Sequence, residues 1–471
     1  MKKIYLLIFS ILCLGIGTGK AQYTVLFNFN STNAQPYGYY PGGSLTLSGN
    51  RLYGMIQIGG SLSHWGGVFK IDTNGTNYQE LVGFNTANGA APVGSLLLAG
   101  SVLYGMTDGA RYGSSWGNVF SLDTNGNIFN NLINFNKTDG EEPQGSLIIS
   151  GSTLYGMTSG GGVYMDGCIF SIDSNGNNFK VLFDFNGTNG AGPNGDLTLS
   201  GGVLYGMTSG GGTHNDGLIF SMDTNGGNYK DLLNFDDTNG AYPYGSLTLV
   251  GRRIYGMTQV GGVNDSGCVF SIDTNGSSYK DLLDFNGVNG AYPWGSLTII
   301  GRCMYGMTWE GGANQFGRIF SIDTDGSRYR DMWDFNDTNG GRPEGNNLIL
   351  SGNVLYGMTT QGGLFGFGVI FKIDTATIAT SINKLTTTST TINVYPNPSN
   401  GIFTIQSSVI FGQLSVEIYN VLGQKVNIGM LKQVQHDYEI DLTGQPDGIY
   451  LYRVVKEDGS LIGEGKVVIQ K

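Results

Sequence analysis

Aromatic and acidic side chains recur in loops whose neighbours are nearly constant. A fixed proline precedes one variable position in each of seven repeats, and a second variable segment follows each Tyr-Gly-Met motif. Flat aromatic rings suit the apolar face of a sugar, and polar groups beside them supply hydrogen bonds. The candidate ligand contacts are Trp65, Tyr112, Trp116, Tyr164, His214, Tyr244, Trp294, Trp309 and Glu344. The alternative, that these rings pack over neighbouring repeats, stays open.

Acidic residues in the same loops raise an enzymatic alternative. Two suitably spaced carboxyl groups would serve as the acid and base of a glycosidase or lyase. The acidic loop residues are Glu141, Glu142, Asp166, Asp216, Asp265, Glu310 and Glu344. However, the repeats contain only two histidines, His64 and His214, and show neither a nucleophile motif nor clustered metal-ligand spacing. We therefore assign no catalytic residue, no metal ligand and no cofactor, and expect binding rather than catalysis.

The elements that position these loops come from an internal repeat. Tyr-Gly-Met begins at Tyr53, Tyr104, Tyr155, Tyr205, Tyr255, Tyr305 and Tyr356, at intervals of 50 or 51 residues. Each repeat holds four short apolar segments bounded by Gly, Asn or Pro, as in "YKDLLNFD", "GSLTLVG", "RIYGMTQ" and "GCVFSID". Four-stranded units at this period are typical of β-propellers. We predict an all-β chain with a seven-bladed propeller over residues 22–375.

Three details of the repeats follow from this prediction. Tyr23 to Asn30 resembles a strand that the seventh blade lacks, so it should complete that blade and close the propeller. Tyr and Met of the motif should fill the interface between blades, with Gly permitting close approach near the axis. "DTNG" and its variants should form two-residue hairpin turns rather than calcium loops, because Gly comes fourth and no closing Glu follows.

The variable loops should share one face, because alternate connections of an antiparallel meander lie at the same end. This arrangement, constant strands with varied loops at one end, is common in binding surfaces. The long pattern "LYGMTxxGG…GxIFSIDTNGxxYxxLxxF", present over about residues 23–375, resembles the GloVer tandem repeat of secreted bacterial proteins. That resemblance implies the repeat architecture and no particular activity.

The N-terminus predicts export. "MKKIYLLIFSILCLGIGTGKAQ" has two lysines, an apolar stretch and small residues before Gln22, which is typical of a signal peptide over residues 1–21. No later segment is long and apolar enough to predict a membrane span. Removing Lys2, Lys3 and Lys20 leaves 22 basic against 36 acidic residues, a formal charge of 22 − 36 = −14. This charge makes nucleic acid an improbable partner. The three remaining cysteines, Cys168, Cys268 and Cys303, predict free thiols.

The last part of the chain is different. Residues 376–391 are rich in Thr and Ser and predict a linker, and residues 392–471 predict a small C-terminal β-sandwich. "YPNPSNGIFTI", "VEIYNVLGQKV", "IDLTGQPDGIYLYRV" and the terminal "KVVIQK" resemble the type A sorting domain of the type IX secretion system of Bacteroidetes. The resemblance implies that this segment engages an outer-membrane translocon and a sortase, and that the cargo is then attached to the cell surface or released.

These features together favour a secreted or cell-surface binding module whose ligand is a glycan or a surface protein. A carbohydrate-active enzyme using the acidic loop residues is the alternative. A structural surface protein whose loops have only drifted is a second one. The sequence leaves the ligand, the cleavage site and the oligomeric state open.

Overall fold

The computed structural model describes residues 22–30, 38–61, 65–85, 87–109, 115–345, 347–375, 392–407, 414–420, 425–426, 429–434, 437–456 and 461–471. The predicted signal peptide and linker lie outside these residues. The chain divides into two compact units, Met1–Ala379 and Thr380–Lys471. Each unit is described by itself.

In its described part, the first unit consists of seven four-stranded antiparallel sheets and contains no helix. In sheets 1 to 6 the strands pair in chain order, and the last sheet has the order β26-β27-β28-β1. We call the edge formed by the first strand of each of these orders the inner edge of that sheet. The bounds are β1 Tyr23–Asn28; sheet 1, β2 Tyr39–Ser48, β3 Arg51–Ile58, β4 Gly67–Asp72 and β5 Gln79–Gly83; sheet 2, β6 Leu97–Ala99, β7 Val102–Thr107, β8 Asn118–Asp123 and β9 Phe129–Asn134; sheet 3, β10 Ile148–Ser150, β11 Thr153–Thr158, β12 Cys168–Asp173 and β13 Lys180–Asp184; sheet 4, β14 Thr198–Ser200, β15 Val203–Thr208, β16 Leu218–Asp223 and β17 Lys230–Asn234; sheet 5, β18 Thr248–Val250, β19 Arg253–Thr258, β20 Cys268–Asp273 and β21 Lys280–Asp284; sheet 6, β22 Thr298–Ile300, β23 Cys303–Thr308, β24 Arg318–Asp323 and β25 Arg330–Asp334; sheet 7, β26 Ile349–Ser351, β27 Val354–Thr359 and β28 Val369–Asp374 with β1.

The N-terminal strand completes the last sheet, as predicted. β1 pairs antiparallel with β28, with Tyr23 opposite Ile373 and Asn28 opposite Val369. The pairing also fills the two neighbouring inter-sheet cores, because Tyr23 packs with sheets 6 and 7 and Phe29 packs with sheets 7 and 1. The first and last strands of the repeat region are therefore joined by antiparallel backbone hydrogen bonds, like neighbouring strands in the other six sheets.

The Tyr-Gly-Met strands lie second from the inner edge of each sheet and carry the core. Tyr155 and Met157 of sheet 3, for example, are buried against Leu204 and Phe220 of sheet 4. This confirms that the repeated Tyr and Met are framework residues. The reason predicted for the glycine was wrong. A Cβ on Gly156 would lie 2.6 Å from Cζ of Phe170 on the neighbouring strand of the same sheet, so the glycine makes room for that ring.

The "DTNG" turns, which follow the third strand of sheets 1 to 6, also differ from prediction. The Asp72 N–H donates to the carbonyl of Thr76, and the Gly75 N–H donates to the carbonyl of Asp72. Of Asn74 and Gly75, only the glycine has a positive φ, 87°. The loop therefore has three residues, a type I turn followed by a left-handed glycine, instead of the predicted two-residue turn.

The second unit has its own strands and core. Its sheets have the orders β29-β30-β33-β32 and β31-β34-β35. The bounds are β29 Ile392–Tyr395, β30 Ile402–Ser407, β31 Leu414–Asn420, β32 Gly429–Val434, β33 Asp437–Asp441, β34 Gly448–Lys456 and β35 Leu461–Ile469. Side chains of both sheets meet in one buried apolar cluster, which includes Phe403, Ile418, Ile440 and Val454.

Candidate ligand-binding site

A closed circuit of seven hydrogen bonds links the seven sheets of the first unit. One residue just before or within the innermost strand of each repeat donates its backbone N–H to the side-chain oxygen of the equivalent residue in the next repeat. The donors and acceptors are Ser44 to Ser95, Ser95 to Ser146, Ser146 to Asp196, Asp196 to Ser246, Ser246 to Ser296, Ser296 to Asn347 and Asn347 to Ser44, at 2.5 to 2.8 Å. Because the last bond returns to Ser44, the inner edges of all seven sheets are tied together.

In six of the seven repeats a glycine precedes this position, and it explains how closely the inner edges approach. A Cβ on Gly145 would lie 2.3 Å from the carbonyl oxygen of Gly195, and a Cβ on Gly245 would lie 2.1 Å from that of Gly295. Both contacts are with backbone, which cannot swing away as a side chain would. The glycine of the "xGSL" motif is therefore required by close approach between successive repeats.

A cavity of about 150 Å³ lies against this circuit and is lined by residues of all seven repeats. We call it the shared cavity. The variable residue that follows the fixed proline lines it in six repeats, as Val93, Gln144, Asn194, Tyr244, Trp294 and Glu344. Gln57 and the circuit residue Asp196 also line it. The sequence therefore changes most at the positions that determine the cavity's chemistry.

An aromatic stack forms one wall of the shared cavity. The rings of Tyr244 and Trp294 lie 5.4 Å apart at 16°, and those of Trp294 and Trp309 lie 5.5 Å apart at 11°. Behind them, the Arg342 guanidinium lies 5.1 Å from the centre of the Trp309 ring and pairs with Glu310 at 3.3 Å. The ring nitrogens of Trp294 and Trp309 are buried without a hydrogen-bond partner. The stack is held in place by ring contacts rather than by hydrogen bonds from these two nitrogens.

Amides and carboxyl groups line the rest of the cavity. Asn194 donates to the hydroxyl of Ser209 at 2.8 Å, which fixes the orientation of its amide. Asp196 accepts the backbone N–H of Ser146 at 2.6 Å through Oδ1. Burial raises the pKa of Asp196, and hydrogen bonds from Ser146 and Ser246 partly offset that effect. The lining residues include Asp196 and Glu344 and no Lys, Arg or His, so the cavity is electronegative.

The structure brings together four of the predicted ligand contacts. Tyr244, Trp294 and Glu344 line the shared cavity, and Trp309 lies behind Trp294. Trp65 is instead half-buried against the apolar cluster between sheets 1 and 2. Trp116 and Tyr164 are 40% and 57% exposed outside the cavity, and Lys137 lies over the Trp116 ring. His214 is exposed in a loop outside the cavity. Tyr112 and His64 lie outside the described residues.

The variable loops meet in pairs, as their parity predicts. Backbone bridges join the segment before the fixed proline to the segment after the Tyr-Gly-Met strand, as at Glu141 with Gly160, Ala191 with Gly210 and Ala291 with Glu310. Of the acidic loop residues in the enzymatic alternative, Glu344 alone lines the cavity. No group of three or more His, Cys, Asp or Glu that could hold a metal ion occurs among the described residues.

Asp196 is the site residue that the sequence analysis missed. After the variable residue its repeat reads "GDL", where five others read "GSL" and the seventh reads "GNNL". Aligning the seven copies at this position marks Asp196 as the one acidic member. The variable loop positions do not include Asp196, because it lies just before strand β14 in a segment that is nearly constant among the repeats.

A family model described as the Gloeobacter/Verrucomicrobia repeat matches residues 103–263 and 250–415, about two thirds of the chain. The chain belongs to the Gloeobacter/Verrucomicrobia repeat family. A second model, the secretion system C-terminal sorting domain, matches residues 393–470. The resemblances drawn from the sequence are thus confirmed, and no curated protein matches the chain.

The sorting domain determines where the protein acts. It directs export to the cell surface or the extracellular space, and it interacts with the type IX secretion machinery. Within the part of the chain that the structure describes, no helix has the length and apolarity needed to cross a membrane.

Solved structures resemble this chain only distantly. One is of PorZ, a bacterial surface component of the type IX secretion system of Porphyromonas gingivalis, at 14% identity and a TM-score of 0.44 over 94% of this chain and 60% of that one. Another is an oligogalacturonate lyase in complex with manganese, at 11% identity and a TM-score of 0.44, over 75% of this chain and 98% of that one. The β-propeller domain of the Trilobed protease from Pyrococcus furiosus matches at 11% identity and a TM-score of 0.43, over 73% of this chain and 95% of that one. This chain therefore spans about three fifths of the length of PorZ.

Proposed function

We propose that this protein is a glycan-binding module of the bacterial surface. In this proposal the seven sheets are the blades of one seven-bladed β-propeller, and the tail is a β-sandwich that engages the outer-membrane translocon and a sortase. The shared cavity then holds one sugar residue of a glycan. The carrying observation is the cavity itself, which combines a stack of aromatic rings with amides and carboxyl groups from several repeats.

The chemistry of the cavity supports a sugar. Tyr244 and Trp294 line the cavity, and the ring surface that their stacking leaves uncovered would meet the C–H face of a pyranose. The amides of Gln144 and Asn194 lie among the lining residues to meet hydroxyl groups. Its volume of about 150 Å³ is below the 300 to 1,000 Å³ usual for drug-sized ligands. The cavity therefore suits a single ring or a chain end rather than the middle of a polymer.

A glycan panel tests the proposal, with bound ligand and released product recorded on the same samples. The purified protein is compared with Trp294→Ala and with the control Trp116→Ala, which removes an exposed ring outside the cavity. We expect binding without product, loss of binding in Trp294→Ala and retention in Trp116→Ala. Binding that depends on Trp116 and not on Trp294 would place the ligand elsewhere. A panel with no binding at all would favour a protein partner or a structural role.

One observation favours the enzymatic alternative. Asp196 and Glu344 line the same cavity, and burial raises the pKa of Asp196, as in carboxylic acids that donate a proton to a leaving group. In that case the panel shows product release, and Glu344→Gln abolishes turnover while binding persists.

A further inference from the structure

We infer that the shared cavity selects a ligand that carries a protonated amine, such as a sugar with a free amino group. The inference rests on the proposed function and names the class of sugar. It comes from one acidic substitution in the hydrogen-bond circuit, from the charge of the cavity walls and from the aromatic stack beside them.

Asp196 is the acidic exception in a circuit of neutral side chains. The other six members are Ser44, Ser95, Ser146, Ser246, Ser296 and Asn347. The side chain of each accepts a backbone N–H from the preceding repeat of the circuit, as that of Asp196 does from Ser146. Serine therefore satisfies the circuit. A carboxyl group at this position adds nothing that the circuit needs, and its burial disfavours the charged form. A cationic ligand would offset that cost.

The groups around Asp196 leave its charge without a basic partner in the cavity. The titratable side chains that line the cavity with it are Glu344 and Tyr244, and neither is cationic at neutral pH. Arg342 lies behind the stack and is paired with Glu310 at 3.3 Å. A ligand ammonium would therefore be the cation that meets the Asp196 carboxyl group.

The aromatic wall favours the same ligand. Ammonium groups are attracted to the faces of Trp and Tyr, and this attraction grows when water is excluded. Tyr244 and Trp294 both line the cavity, and their stacked rings hold each other in place at 5.4 Å. A hexosamine would place its carbon–hydrogen face against a ring and its amine toward a carboxylate.

Calorimetric titration tests the inference with three probes, a methyl glucosaminide with a free amine, its N-acetylated form and choline. The variant Asp196→Ser introduces the serine that five other repeats carry, so the circuit is kept. The control Asp325→Asn also removes one acidic charge and introduces the asparagine found at that place in the other turns, as at Asn275. We expect the free amine to bind about ten- to a hundredfold tighter than the N-acetylated form. Asp196→Ser should abolish that difference, and Asp325→Asn should preserve it.

The outcomes separate this inference from the proposed function. Equal binding of the two sugars, or a preference that survives Asp196→Ser, would overturn the amine and leave the glycan site standing. Binding of choline without either sugar would support recognition of an ammonium group and overturn the glycan. Failure of all three probes would overturn the inference, and a glycan found by the panel would then still support the proposed function.

The pH dependence gives a second readout. Because burial raises the pKa of Asp196, its ionised fraction in the free protein increases as the pH rises above the ordinary aspartate range. The amine stays protonated between about pH 4 and pH 6, so the affinity of the wild type should increase over that range more than the affinity of Asp196→Ser. Parallel profiles for the two proteins would contradict a role for Asp196.

Discussion

The pairing of β1 with β28 predicts that Phe29 stabilises the first unit as strongly as its counterparts within the chain. Phe29 and Phe185 occupy the same position of the repeat, and both are fully buried. The Phe29 ring meets Phe69 at 5.6 Å and 67°, and the Phe185 ring meets Phe220 at 5.4 Å and 62°. Their backbone N–H groups donate to Gly368 and Gly167 at 3.1 and 3.0 Å. Truncating a buried phenylalanine to alanine costs about 3 to 5 kcal/mol, so Phe29→Ala and Phe185→Ala should lose similar amounts.

Urea unfolding followed by tryptophan fluorescence measures both losses in the whole protein. All five tryptophans precede residue 334, so the signal reports on the first unit alone. Nearly equal decreases in the free energy of unfolding would support the closure by β1. If Phe185→Ala loses about 3 to 5 kcal/mol while Phe29→Ala stays within about 1 kcal/mol of the wild type, the N-terminal strand does not pair as described.

Three further predictions concern buried polar groups. Because burial raises the folded-state pKa of Asp196, the folded protein binds this proton more readily than the unfolded chain, and stability falls as the pH rises from the ordinary aspartate pKa through the folded value. Asp196→Ser should thus be more stable than the wild type at neutral pH and indistinguishable from it in acid, as thermal melts across pH would show. Arg318→Leu should lose about 3 to 5 kcal/mol in urea unfolding, because the buried Arg318 pairs with Asp334 at 2.6 Å. In sheet 4 the equivalent positions hold Leu218 and Asn234, which pair with each other. Adding Asp334→Asn to Arg318→Leu should therefore recover part of the lost stability, and no recovery would contradict the pairing of Arg318 with Asp334. Burial raises the pKa of both Cys168 and Cys268 to about 12, so iodoacetamide should modify these thiols only after unfolding; rapid labelling of the native protein, read by mass spectrometry, would refute their burial.

The repeat made most of the fold predictable. Four short apolar segments at a fixed period allow few folds besides four-stranded sheets. Because the seventh repeat lacks one strand, the extra strand at Tyr23 was predicted to complete it, and it pairs with β28. The "DTNG" loop after the third strand of sheets 1 to 6 was harder to predict. Its Asn-Gly suggested a two-residue turn, but the Asp72 carbonyl accepts from Gly75 and the loop takes a third residue.

The candidate site was predictable only in part. Tyr244, Trp294 and Glu344 follow the fixed proline, and residues at that position line the cavity in six of the seven repeats. Trp116 and Tyr164 belong to the other loop class and remain exposed. Composition cannot separate the two classes, because both contain aromatic residues. Asp196 was missed because its role depends on a hydrogen bond from Ser146, fifty residues away.

The most direct test of the central claim, that a ligand enters the shared cavity, is ¹⁹F NMR of the protein labelled with 5-fluorotryptophan. Its five tryptophans give one reporter on the cavity wall, Trp294, one directly behind it, Trp309, and three elsewhere. The protein is titrated in turn with glucosamine, N-acetylglucosamine and glucose, after each resonance is assigned by substitution. We expect at least one sugar to shift the resonances of Trp294 and Trp309 while that of Trp116 stays in place. Shifts confined to Trp116 or Trp65, or no shift with any of the three sugars, would contradict the account.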